Sequence, residues 1–429
     1  MERLIINGGH VIDPASGIDG LYNIYIMSGR IASVKPAESD TTEAGRGVEA
    51  IDASGLLVVP GFIDAHAHLR DPGYEYKETI QTGAEAAVAG GYTTVFCMAN
   101  TMPVNDTASV TRYILDRATG APVDVLPVGA ISMGQKGERL TEMWELKDAG
   151  CVAISDDGRP VENISLMRKA LEYSKTIGIP VISHAEDLTL AQGGVMNEGF
   201  VSTRLGLKGI PNAAEDVMAA RDIMLAELTG GRLHIAHVST KGAVELIREA
   251  KKKGIRVSAE ATPHHLTLTD EAVEGYNTNA KMNPPLRDLS DVEALIAGLK
   301  DSTIDMIATD HAPQSVIEKD LEFDKAANGV LGLETAFSAC HTLVEKGFIT
   351  LNDLITRMTS GPANAFGLDK GTLKVGSAAD IAIIDLNRQW TVEQSRLKSK
   401  SKNTAFAGRT FKAKVVKTLK DGKIVFSES

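Results

Sequence analysis

The chain has 429 residues, 43% hydrophobic and 24% charged, with a formal net charge of −11; this is a globular composition, long enough for one large domain and a small one, and it excludes a disordered chain. Its 45 Lys and Arg are dispersed, the densest run being Lys251-Lys252-Lys253 at the end of a surface-type helix, so no nucleic-acid partner is expected. The opening MERLIINGGHVID lacks a signal-peptide profile, no apolar run approaches a bilayer span, and Cys97, Cys151 and Cys340 form no C-x-x-C pair, which together predict a reduced, cytoplasmic protein with no membrane partner.

The first 57 residues carry short apolar or alternating runs at 4–7, 22–27, 31–35 and 56–59, separated by Asn7-Gly8-Gly9, Ser28-Gly29 and Ala53-Ser54-Gly55. Such runs between turn residues predict a small β layer. The pattern then changes. Strands are predicted at 58–65, 93–98, 123–128, 152–155, 180–183, 233–236, 256–259 and 304–308, with helical stretches such as 77–89, 164–176, 213–228 and 241–252 between them. Eight β/α units predict an α/β fold, a closed parallel (β/α)8 TIM-type barrel over residues 58–369. A doubly wound open sheet is the competing arrangement, ranked second because no Gly-rich phosphate loop follows the first strand. Residues 370–429 return to short strands near 371–373, 379–385, 415–416 and 424–425, with Asp421-Gly422 as a hairpin turn. The ends, 1–57 and 370–429, are expected to pack as one small β-sandwich domain.

In such a barrel, chemistry belongs at the C-terminal ends of the strands. Strand one ends in His66 and His68, which the two-residue period of a strand turns to one face, with Arg70 in the same parity. Asn100 follows strand two, Asp156-Asp157-Gly158 strand four, His184 strand five, His237 strand six and Asp310-His311 strand eight. One histidine at a strand end is more often a hydrogen-bonded structural residue than a ligand. Four histidines and two carboxylates at five strand ends of one barrel are a ligand set for a divalent metal such as Zn2+. Six donors exceed the needs of one tetrahedral ion, so two metals sharing a carboxylate and a hydroxide are expected. Asp157 has the parity of Ala153 and Ser155 and is the candidate bridge, whereas Asp156 points the other way. His10, His234 and His341 lie off this rim and read as structural, and the His264-His265 pair as structural or as support for the ligands.

The segments carrying these residues also form a recognisable series. Asp64-Ala-His-Ala-His-Leu-Arg-Asp-Pro-Gly73 with Lys77-Glu78-Thr79, Met98-Ala-Asn-Thr101, Asp156-Asp157-Gly158, His234-Ile-Ala-His237, Thr262-Pro-His-His-Leu266, Lys281-Met-Asn-Pro-Pro-Leu-Arg287 and Ala308-Thr-Asp-His-Ala-Pro313 resemble the class I bacterial dihydroorotases of the amidohydrolase superfamily. The resemblance runs from the first barrel strand to the C-terminal hairpin. It implies a metal-dependent cyclic amide hydrolase that interconverts N-carbamoyl-L-aspartate and L-dihydroorotate in pyrimidine synthesis. It implies His66 and His68 on one Zn2+ with Asp310, His184 and His237 on the other, and Asp157 and a hydroxide between them. It makes Asp310 the catalytic proton carrier, and His68, Arg70, Asn100, Asn283, Gln314, Asn328 and Gly329 the substrate contacts. Many relatives bridge the metals with a carboxylated lysine, but no Lys stands near the end of strand four here. A homo-oligomer is also implied, with aspartate carbamoyltransferase as a partner that this class admits.

Two positions depart from the pattern. Gln314 stands where relatives have histidine, and Asn328 precedes Gly329 where they usually have an aromatic residue. Both departures fall on the substrate side. The competing functions are another cyclic amide hydrolase, of allantoinase or dihydropyrimidinase type, and a non-catalytic dihydroorotase-like scaffold. Glutamine donates a hydrogen bond but cannot titrate, so Gln314→His is expected to raise the turnover of dihydroorotate; a steady-state rate that stays level or falls would show a pocket rebuilt around the glutamine.

Overall fold

A computed structural model describes residues 3–39 and 49–428. Eight parallel strands, β1 (Phe62–Ala67), β2 (Tyr92–Cys97), β3 (Asp124–Gly129), β4 (Ala153–Ser155), β5 (Val181–Ser183), β6 (Leu233–Ile235), β7 (Val257–Ala261) and β8 (Met306–Ile307), hydrogen-bond in sequence order. Between β8 and β1 the closure is made by side chains and a single bridge. Asp64 accepts from Thr309 N at 2.9 Å and from Thr309 Oγ1 at 2.5 Å, His68 N donates to His311 O at 2.8 Å, and Ala67 pairs with His311. The last strand thus returns to the first, which rules out the open sheet.

The helices fall close to their predicted places, at Ile164–Ile177, Ala213–Thr229 and Lys241–Lys252. Asn163 and Thr240 cap two of them through their side chains, and Gly178 and Gly230 end two in left-handed conformation. The stretch predicted from 77 becomes helical only at Ile80, because Thr79 is the N-cap and shares a capping box with Thr82. Lys77 and Glu78 are thereby left on the barrel rim.

The apolar run 58–65 was expected as one strand and is two. Leu57–Pro60 pairs with Arg3–Asp13 on one side and with Ile381–Asp385 on the other, and only beyond Gly61 does the chain enter the barrel. Gly61 N donates to Asp380 O at 2.8 Å, and a Cβ at Gly61 would lie 2.3 Å from Thr93 Oγ1. Both strands are buried on both faces, so their apolar residues read as one continuous run.

Leu57–Pro60 joins the two β-rich ends into one eight-stranded sheet with Arg3–Asp13, Ile18–Met27, Arg30–Pro36, Glu49–Asp52, Ile381–Asp385, Lys414–Lys420 and Lys423–Ser427. Ile6, Val11, Ile24, Val58, Ile381, Ile383 and Leu419 share its core. Asp421 and Gly422 both have positive φ, 49° and 73°, as a two-residue hairpin turn requires. Between Asp385 and Lys414 the chain leaves this sheet and crosses the barrel rim, an excursion that periodicity gave no sign of. There Ser399 Oγ and Lys400 N donate to Glu78, Ser401 Oγ donates to Lys77 O, and Asn403 Nδ2 donates to Ala312 O and Gly329 O.

Among the described residues no helix is long and apolar enough to cross a membrane. All three cysteines are buried free thiols, and burial pushes Cys97 up to about 12 and Cys151 up to about 11. Filling the contact at the sheet-to-barrel junction with Gly61→Ala is expected to lower the unfolding free energy by about 1–3 kcal/mol. Denaturant unfolding reads this directly, and an unchanged midpoint would mean that Thr93 yields without cost.

Candidate metal centre

Six side chains predicted from five separate strand ends meet at the C-terminal mouth of the barrel. His66 lies within β1 and His68 just past it, Asp157 follows β4, His184 follows β5, His237 follows β6 and Asp310 follows β8. All six are buried. His237 and Asp310 are held at positive φ, 32° and 43°, a conformation that non-glycine residues adopt at a cost and that clusters at functional sites.

Asp157 is at the centre. Its Oδ1 lies 3.4 Å from His66 Nε2, 3.4 Å from His237 Nε2 and 3.6 Å from His184 Nδ1, and its Oδ2 lies 3.4 Å from His68 Nε2. Two donors bound to one tetrahedral ion at about 2.1 Å stand about 3.4 Å apart. Most of these spacings are therefore long for hydrogen bonds and right for atoms that share a cation. They form two groups, His66, His68 and Asp157, and Asp157, His184 and His237, with the carboxylate common to both. His66 Nε2 is buried with no hydrogen-bond partner, as a metal ligand's lone pair would be. Asp310 Oδ1 is 3.0 Å from His68 Nε2 and 3.7 Å from His66 Nε2. Asp156 faces away as its parity requires, accepting from Ile131 N and Ser132 N.

The outer nitrogens of three of the four imidazoles are held by the protein, while that of His237, Nδ1, is buried without a partner. His66 Nδ1 contacts Glu260 Oε1 at 2.6 Å, His68 Nδ1 contacts Asn100 Oδ1 at 2.8 Å, and His184 Nε2 contacts Glu186 Oε2 at 3.4 Å. A neutral imidazole that donates outward turns its remaining lone pair inward, which fixes the tautomer a metal needs. Glu260 is fully buried on β7 and also accepts from His237 N at 3.1 Å and contacts His234 Nε2 at 3.0 Å. Burial alone would raise the carboxyls of Asp157, Glu260 and Asp310. In the metal-free protein a proton on His66 draws the first two below the usual carboxylate range, and the contact with His68 does so for the third.

Glu260, Glu186 and the supporting role of His234 escaped the sequence reading. The strand predicted at 256–259 stopped one residue short of Glu260, and a glutamate inside the small-residue run Val257-Ser-Ala-Glu-Ala261 was the available signal. Glu186 shares the parity of His184. His265 is structural, its ring contacting Thr262 Oγ1 at 2.8 Å and Pro284 O at 3.0 Å. His264 lies nearer the ligands, and burial pushes it down to about 4, so it is neutral.

Beside the ligands opens a cleft of about 220 Å³, lined by His68, Arg70, Asn100, Asn283, Gln314, Asn328 and Gly329 as well as by Asp157, His184, His237 and Asp310. Arg70 does not reach it by continued strand alternation. β1 ends at Ala67, and Arg70 turns in with φ 62°, its Nε donating to Pro313 O at 3.1 Å. Asp71 pairs instead with Arg117, at 3.5 Å. Asn283 Nδ2 donates to Glu186 at 3.0 Å, while its Oδ1 is buried without a partner. Gln314 has both ends of its amide engaged, Nε2 donating to Asn328 O at 2.6 Å and Oε1 accepting from Lys77 Nζ at 2.8 Å.

A family model described as dihydro-orotase-like matches residues 55–243, and one described as the amidohydrolase family matches residues 204–426. The chain is 56% identical over 425 residues to a dihydroorotase of Geobacter metallireducens, covering 99% of each chain. It is 56% identical over 430 residues to a dihydroorotase of an Anaeromyxobacter species, covering 100% of this chain and 98% of that one. Among solved structures it is similar to the L-hydantoinase (dihydropyrimidinase) of Arthrobacter aurescens, with a TM-score of 0.89 at 27% identity over 100% of this chain and 97% of that one. It is also similar to the dihydropyrimidinase of Brevibacillus agri, with a TM-score of 0.86 at 25% identity over 99% and 95%.

Removing the charge of Glu260 while keeping its shape, in Glu260→Gln, is expected to weaken Zn2+ binding by about 10- to 100-fold. Titration of the metal-free protein with Zn2+ measures it, and parental affinity would reduce Glu260 to a role in the fold alone.

Proposed function

The chain belongs to the dihydroorotases of the amidohydrolase family, and from that membership we propose a class I enzyme whose metal centre takes two Zn2+ ions. The activity is the interconversion of N-carbamoyl-L-aspartate and L-dihydroorotate, a step of pyrimidine biosynthesis. In this reading His66 and His68 hold one ion with Asp310, His184 and His237 hold the other, and Asp157 serves both. When bound, such a pair of cations supplies an activated water and polarises the amide carbonyl.

The remaining work falls to side chains. Asp310 is ionised and stands against His68, placed to take the proton of the attacking water and pass it to the ring nitrogen as the carbon–nitrogen bond breaks. Arg70 offers a guanidinium to the substrate carboxylate, a charge-assisted fork, and the amide of Asn100 lies beside it in the cleft. Asn283 Oδ1, a buried acceptor without a partner, suits a ring N–H. Asn328 and Gly329 border the same face, while His68 touches both substrate and metal. Gln314 braces the Asn328 carbonyl.

The observation that carries this reading is the shared carboxylate of Asp157 beside a cleft that holds both a guanidinium and an unpaired amide acceptor. A dihydropyrimidine or hydantoin ring lacks the carboxylate that Arg70 would bind, which favours dihydroorotate over the substrates named for the structural neighbours. An inert scaffold is disfavoured by the complete ligand set. The resemblance of the motifs also supports a homo-oligomer with aspartate carbamoyltransferase as its protein partner.

Purified with Zn2+, the enzyme is expected to hydrolyse dihydroorotate and to leave dihydrouracil and allantoin untouched, with Asp310→Asn slowing kcat by about 100-fold or more. A variant as fast as the parent would remove Asp310 from proton transfer. Ring closure consumes one proton, so the equilibrium ratio of dihydroorotate to carbamoyl-aspartate should rise about tenfold per unit fall in pH, as absorbance at equilibrium would show.

A further inference from the structure

Part of the substrate side of the cleft is built from two pieces of chain that lie outside the barrel strands. One is the segment 278–283, which ends in Asn283; the other is the loop 324–329, which ends in Asn328 and Gly329. Two buried lysines cross between them. Lys319 follows β8 in the short helix Val316–Lys319 and is 6% exposed. Its ammonium has three donors, and all three go to main-chain carbonyls: Thr278 O at 2.8 Å and Lys281 O at 3.1 Å on one piece, Ala327 O at 2.8 Å on the other. Lys281 makes the return crossing, donating to Asp324 O at 3.0 Å and Ala326 O at 2.7 Å with its ammonium over the Phe323 ring. Gly329 N donates to Lys281 O at 3.0 Å, which ties the lacing to the cleft wall.

A lysine is a costly way to fill a gap. It loses about 2 kcal/mol of side-chain freedom when fixed, and the buried charge is disfavoured unless every donor is satisfied. Burial and the nearby charge of Lys281 push Lys319 down to about 7. An apolar side chain would fill the space without that penalty but would lose all three bonds, leaving the link between the two pieces to the Lys281 ammonium and the Gly329 N–Lys281 O bond.

We propose that Lys319 is a positioning residue for substrate: from outside the cleft, its ammonium holds the segment of Asn283 at a fixed distance from the loop of Asn328 and Gly329. The inference rests on reading those three residues as substrate contacts. None of the metal-centre residues touches Lys319 Nζ, so its loss acts on substrate binding before it acts on chemistry.

The test compares the Zn2+-loaded parent with Lys319→Met, measuring KM and kcat for L-dihydroorotate together with amide hydrogen exchange. The expected result is a KM raised about tenfold or more with kcat within about threefold, parental zinc content, and faster exchange confined to residues 278–283 and 324–329. Lys281→Met should give the same signature, and the double variant should be clearly worse than either single one, because each removes one of two parallel crossings between the same two pieces. Should Lys319→Met fail to fold, Lys281→Met is read by the same criteria. Parental KM and parental exchange would overturn the proposal, as would a joint loss of kcat and zinc. A parent enzyme that does not turn over dihydroorotate would defeat the functional reading instead, and the exchange data would still decide whether the lysines lace the two loops.

Discussion

One buried carboxylate organises this molecule. Asp157 faces four imidazoles that come from three different strand ends, and ionised side chains in such surroundings are stable only when paired or bound to a cation. Most of the barrel's features can be read as the means of bringing those groups to one point. The closure of β8 onto β1 through Asp64 and Thr309 is the clearest case. It sets Asp310 against His68, two residues 242 positions apart in sequence.

The geometry is held from behind as much as from within. Glu260 restrains two imidazoles and the backbone of a third histidine, and Asn100 and Glu186 each restrain one more. The left-handed conformations of Arg70, His237 and Asp310 show local backbone preference giving way to the site's demands. This division also bears on specificity. Solved hydantoinases and dihydropyrimidinases share the fold at about a quarter identity, so the fold alone does not set the activity, and the cleft wall with Arg70, Asn283 and the loop at Asn328 is where a difference in substrate would act.

Much of this could be read from residue order alone, and the limits have physical causes. Strand parity separated Asp157 from Asp156, because both sit directly after a regular strand. It failed as a reason for Arg70, since the strand had already ended and a positive φ took over. The helices were legible because their caps are local, Thr240 and Asn163 at the starts and Gly178 and Gly230 at the ends. The break at Gly61 was not, because it depends on Thr93, a contact between distant residues. Glu260 was overlooked because a lone glutamate at a strand end has no periodic signature, and its partners come from β1 and β6. Gln314 was recognised as a departure, but its engagement by Lys77 required the fold.

The excursion between Asp385 and Lys414 has a bearing on how the protein comes into being. Ser399, Lys400, Ser401 and Asn403 grip Glu78, Lys77, Ala312 and Gly329, and the strand Leu57–Pro60 bonds to Ile381–Asp385. A ribosome working from the N-terminus finishes the six clustered His and Asp residues at residue 310, yet the wall facing them is not clamped until residue 403 has emerged. The nascent chain therefore passes through a stage in which all six clustered residues exist and the pocket is unfinished, with the strand Leu57–Pro60 waiting for a partner more than 300 residues downstream. Assembly of the site is tied to completion of the chain, so a polypeptide that stops early in its C-terminal fifth carries all six clustered side chains and lacks a finished pocket.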